Sequence, residues 1–173
     1  MLCAAAVAAA VFLVAPKPTM ADVVLGTCPL GISTITYTPG VTDTPQEVFQ
    51  EGSEQSGLCT FVLPFGLRSF TTEFSGTLTT SCTELLTGSD SGEQTFLWSN
   101  GLTSEWSFSS VTSQTASGNT VATYTGPLSA DSEFLPGVTV IQVVTYTNLT
   151  VESCEENPLT EQSGTSTYTF LQG

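Results

Sequence analysis

Four groups of side chains in this 173-residue chain could do chemistry. The first is its carboxylates: sixteen Asp and Glu stand against two Lys and Arg, with no His. A Ser or Cys nucleophile needs a base, usually an imidazole or an amine, and Lys17 is the one amine side chain present. His-ligated metal sites are ruled out, and no phosphate-cradling Gly motif opens a helix. What survives is carboxylate chemistry, as in two-carboxylate glycosidases and acid-pair peptidases. Asp43-Thr44-Pro45 is not the Asp-Thr-Gly of such a peptidase. With so many acids some pairs are close by chance, so the chain is expected not to be an enzyme.

The second group is acidic clusters suited to calcium, a cation that prefers carboxylate and carbonyl oxygens. In Ser89-Asp90-Ser91-Gly92-Glu93 the candidate metal ligands are Asp90 and Glu93; Glu152, Glu155, Glu156 and Asn157 form the other cluster. Neither follows an EF-hand or a repeated Gly-Asp pattern, so polar loops are the preferred reading and no cofactor other than calcium is in question. The third group is Trp98, Asn100 and Trp106 in FLWSNGLTSEWSF. Two indoles bracketing a tight turn could stack a sugar. Core packing is preferred, because Trp106 and Phe108 share strand parity and therefore a face.

The fourth group is cysteine. The first 21 residues, MLCAAAVAAAVFLVAPKPTMA, hold an apolar run and a small-x-small cleavage site before Asp22, the pattern of a signal peptide. Its apolar run falls short of the roughly 20 residues that span a bilayer. Cleavage removes Cys3 and Lys17 and leaves Cys28, Cys59, Cys82 and Cys154. An even set in an exported chain predicts two disulfides with three connectivities; Cys28–Cys59 with Cys82–Cys154 is favoured, since it joins the early strands and ties the late ones. Arg68 becomes the one basic side chain of residues 22–173, and it is expected to pair with a carboxylate such as Glu73. The acidic field repels nucleic acid and anionic lipid. Partners are therefore an extracellular protein or glycan, with no nucleic acid and no membrane once the signal is cleaved. Asn148-Leu149-Thr150 is a glycosylation sequon, read as incidental.

The elements that position these residues are strands. From Ser69 to Cys82, Phe70, Thr72, Phe74, Gly76, Leu78, Thr80 and Cys82 share one face and polar residues the other, a period of two. Similar runs cover Ile32–Thr38, Gln46–Gln50, Cys59–Phe65, Thr95–Ser99, Glu105–Thr112, Thr120–Thr125, Val138–Glu152 and Thr165–Leu171, with Gly, Pro, Asn and Asp between them. About nine such strands predict an all-β domain over residues 22–173. A single antiparallel β-sandwich is the first reading and a small β-barrel the alternative. Helix signals are nearly absent.

The segments TCPLGISTITYTPGVTDTP from Thr27, FSGTLTTSC from Phe74, WSNGLTS from Trp98 and YTGPLSADSEFLPG from Tyr124, with Cys59 between the first two, carry a resemblance. Together they resemble a group of uncharacterised small secreted β-proteins of actinomycete bacteria, over roughly Thr27 to Phe170. The shared features are turns, cysteine positions and strand ends. The resemblance implies a secreted bacterial β-protein and carries no catalytic residue. The expected function is that of an exported, non-catalytic structural or interaction module. A carbohydrate-binding module is the alternative, and a carboxylate-based hydrolase the second alternative.

Overall fold

The computed structural model describes residues 22–173 apart from 63, 115–117 and 148. The signal peptide assigned to residues 1–21 and the sequon residue Asn148 lie outside the described residues. Ten strands and two short helices follow one another: β1 (Val23–Val41), β2 (Gln46–Gln55), β3 (Cys59–Phe61), β4 (Leu67–Arg68), β5 (Phe70–Thr80), α1 (Cys82–Thr87), β6 (Ser89–Trp98), β7 (Thr103–Gln114), β8 (Thr120–Pro127), β9 (Thr139–Tyr146), α2 (Val151–Glu156) and β10 (Leu159–Gln172).

The chain is all-β, as its alternation predicts. The sheet runs β10-β9-β8-β7-β6-β5-β2-β1, and β1 pairs back onto β10. Closure makes it an eight-stranded antiparallel barrel, the alternative architecture, rather than two packed sheets. The closing register runs from Val23 opposite Gln172 to Val41 opposite Leu159. The short hairpin β3–β4 extends from the early part of β1 through Gly26 opposite Phe61 and Thr27 opposite Thr60.

Each long strand sends alternate side chains inward. In β9 these are Val140, Gln142, Val144 and Tyr146, all buried. One end of the barrel is filled by an aromatic plug. Phe70 stacks on Phe96 with centroids 4.3 Å apart, Trp98 meets Phe134 edge-on at 4.7 Å, and Phe61 lies 5.1 Å from Phe170. The other end is covered by the two helices, where Cys82, Leu86 and Cys154 pack on Ile35, Tyr37, Val41 and Val48. The disulfides are Cys28–Cys59 and Cys82–Cys154, the favoured pairing. The first pins β3 to β1 and the second joins α1 to α2. Such bonds fit an oxidising, non-cytoplasmic compartment.

The helices correct the expectation of an almost helix-free chain. Ser81 caps α1 by accepting from the Glu84 amide, and Thr150 with Ser153 forms a reciprocal cap on α2. The strand expected over Val138–Glu152 accordingly stops at Tyr146 and gives way to α2. In β5 and β6 the helix has a further consequence. The two strands pair only at Phe70 opposite Trp98 and Thr71 opposite Leu97, although they are 11 and 10 residues long. They are joined by α1, and a helix about 10 Å across holds their ends wider apart than the roughly 4.8 Å of a paired ladder. The barrel therefore has one seam that is closed at the plug and split toward the helices.

Candidate functional site

Between the aromatic plug and the helical cover the barrel encloses a cavity of about 550 Å³, within the range of small-molecule sites. An eight-stranded barrel is just wide enough to be filled by its own side chains or to hold one small ligand. Here the side chains beyond the plug line the space without filling it. Tyr37, Tyr124 and Tyr146 form one wall, Phe74 and Leu78 of β5 line the split seam, and Phe108 and Ala122 complete the apolar surface. Glu84, Asp90 and Glu93 line the same cavity and are solvent-exposed, which places them where the split seam meets solvent.

The floor carries the chemistry. Glu54, at the inward end of β2, is 6% exposed and is the one buried carboxylate among the described residues. Gln142 of β9 donates its amide N–H groups to both Glu54 oxygens at 2.9 and 2.8 Å, and to the Tyr168 hydroxyl at 2.8 Å. The Tyr168 hydroxyl in turn donates to Glu54. Burial raises the Glu54 pKa, while the hydrogen bonds from Tyr168 and Gln142 act in the opposite direction. Burial also raises the hydroxyls of Tyr37, Tyr124 and Tyr168. It pushes Tyr146 up to about 12, with the Glu54 charge as a second cause. The four phenols are thus neutral at physiological pH.

Several buried polar atoms of the wall make no hydrogen bond within the protein. They are the hydroxyls of Tyr37 and Tyr146 and the side-chain carbonyls of Gln94 and Gln162. Tyr146 has Ser33, Tyr124 and Gln162 around its hydroxyl, but none meets hydrogen-bond geometry. Buried polar groups are normally paired, because leaving one unpaired costs about 1–3 kcal/mol. Tyr37, Tyr146 and Gln162 are each more than nine-tenths buried. The side chains that carry these atoms line the same cavity.

The residues expected from sequence do not build this site. Trp98 and Trp106 are both buried in the plug, 2% and 1% exposed. The Trp98 indole donates to Ser104 Oγ at 2.8 Å and the Trp106 indole to the Gly126 carbonyl at 3.0 Å. Neither can offer its face to a sugar, so the preferred reading of core packing holds and the stacking platform at Trp98, Asn100 and Trp106 does not. Asn100 is exposed in the β6–β7 turn, where its Oδ1 accepts from the Leu102 amide. Asp90 and Glu93 lie in β6 rather than a loop, three residues apart in a strand, and therefore project from opposite faces. No group of three potential metal ligands occurs among the described residues. Arg68 donates to the Leu67 carbonyl at 2.7 Å, and among the described residues its Nε has no hydrogen-bond partner. Glu54 is the residue that sequence reasoning missed. It lies beyond the strand expected over Gln46–Gln50, and its parity with Val48 is the available signal that it points inward.

Comparison with protein-family models, with curated proteins and with solved structures finds no match to this chain.

Proposed function

We propose that this protein is an exported binding barrel that takes up one small organic molecule in its interior. The observation that carries the reading is the cavity of about 550 Å³, lined by aromatic side chains and by the buried carboxyl Glu54. The disulfides and the signal-like first 21 residues support an extracellular setting. Binding is favoured over hydrolysis because carboxylate catalysis needs two acids in one site, and Glu54 is hydrogen-bonded to an amide and a phenol instead of a second carboxyl. This reading narrows the expected interaction module to a small-molecule binder and sets aside the surface carbohydrate platform.

The test is titration with 1-aminoanthracene, a neutral apolar dye whose emission rises in dry cavities. Saturable one-to-one enhancement is expected, and Leu78→Trp, which fills the seam-side wall, should abolish it. A dye that binds the variant as well as the wild type would show that it sits elsewhere and would remove the reading.

A further inference from the structure

Resting on that binding reading, we propose that the ligand is a small primary amine, an ammonium on a compact aromatic or apolar body, held with its nitrogen against Glu54. The floor of the cavity is a buried carboxyl with no buried cation to balance it. Arg68, the one basic side chain of residues 22–173, belongs to β4 on the appended hairpin. A buried carboxylate is costly unless a counter-charge and hydrogen bonds compensate it. Gln142 and Tyr168 supply hydrogen bonds and no charge.

The unpaired wall atoms ask for the same chemistry. Gln94 Oε1 and Gln162 Oε1 are acceptors, and the Tyr37 and Tyr146 hydroxyls can accept as well as donate. An ammonium brings three donors and no acceptor, which complements a carboxylate and two amide carbonyls; a carboxylate or phosphate ligand would meet acceptors. The rings of Tyr37, Tyr124, Tyr146, Phe74 and Phe108 line the same space, and aromatic faces attract a desolvated cation. At the mouth Glu84, Asp90 and Glu93 concentrate cations and repel anions.

Three probes of one shape separate the outcomes: 2-phenylethylamine, 2-phenylethanol and 3-phenylpropionate, each titrated calorimetrically into the full chain and used to displace 1-aminoanthracene. The amine is expected to bind at least about tenfold more tightly than the alcohol, since hydrogen bonds to charged groups exceed neutral ones by that order. The propionate should not bind. Glu54→Gln should remove the amine's advantage over the alcohol, read as the ratio of their affinities for the same variant. If the alcohol or the propionate binds as tightly as the amine while the dye binds, the amine assignment is overturned and the cavity reading stands. If neither dye nor probes bind, both fall. Should Glu54→Gln fail to fold, the wild-type ranking of the three probes still decides.

Discussion

Tyr168 and Glu54, 114 positions apart in sequence, meet inside the barrel, the phenol of β10 donating to the carboxylate of β2. With Gln142 bridging both, the pair forms a polar layer between the aromatic plug and the open part of the interior. Three strands that are not all neighbours are thereby linked through side chains, across a space that apolar residues alone would have filled. A buried polar network of this kind is costly unless its members are paired. The three members of the layer are paired with one another.

The pH dependence of stability should report this layer. The Glu54 pKa is raised in the fold, burial being the largest cause, so the folded state holds a proton that the unfolded chain releases. Stability then falls as pH rises from the ordinary carboxylate range through the raised value. The groups that act on Glu54 are Tyr168, Gln142 and Ser33, all uncharged there, and no cation among the described residues is one of them. Urea unfolding of the ligand-free protein from about pH 4 to pH 8 should show a steeper loss for wild type than for Glu54→Gln. Equal slopes would mean that Glu54 titrates as an exposed carboxyl.

The bond between the helices should contribute more than the one between the early strands. Cys82–Cys154 closes a separation of 72 residues and Cys28–Cys59 one of 31. Loop entropy assigns about 4.4 and about 3.7 kcal/mol to loops of these lengths. Paired alanine replacements should reproduce that order in denaturant midpoints. The Cys82→Ala/Cys154→Ala variant should in addition weaken dye binding, because the bond holds the cover over the cavity. Unchanged dye affinity in the folded variant would detach the helices from the site.

How far the sequence reaches can be judged from particular elements. The period of two from Ser69 to Cys82 yields β5 almost to the residue, because one face is wet along its whole length. The cysteine pairing follows from the same local logic. Closure does not, since it depends on β1 meeting β10, the two most distant strands in the chain, and nothing local encodes which end partners which. The first half of β6 was read as a loop because it borders the split seam, where Ser89, Asp90 and Ser91 are exposed and no apolar alternation survives. The helices are six residues each, too short for a 3.6-residue period to show. Their caps, Ser81 with Glu84 and Thr150 with Ser153, were the available signal. The cavity is illegible for a physical reason: Tyr, Gln and Glu at inward positions look like ordinary alternation until closure places them opposite one another.

Both tryptophans should behave as core residues. Acrylamide should quench their emission weakly, and that emission should lie at the blue end of the indole range. Trp98→Phe keeps the ring contacts but strands Ser104 Oγ, which accepts from the indole and donates to the Phe134 carbonyl at 2.6 Å. A loss of about 1–3 kcal/mol is expected, the cost of an unpaired buried group. Strong quenching of either indole would return it to the surface and reopen the sugar platform.

Two glycines on opposite sides of the barrel should respond in opposite directions to the same substitution. Gly126 of β8 packs against β7, and a Cβ there would sit 1.9 Å from the Ser107 carbonyl oxygen, a backbone atom that cannot swing away. The Gly126 carbonyl also accepts the Trp106 indole, so any shift of β8 loosens the plug. Gly126→Ala should cost about 1–3 kcal/mol or more, as overpacking does. Gly76 of β5 pairs with Gln50 of β2, has no positive φ, and a Cβ there meets nothing within 4 Å. Gly76→Ala should be neutral or stabilising by up to about 1 kcal/mol, because alanine loses less backbone entropy on folding. Thermal midpoints of the two variants check the pair. A destabilised Gly76→Ala would mean that β5 and β6 close against each other in solution, and the lateral opening to the cavity would have to be abandoned.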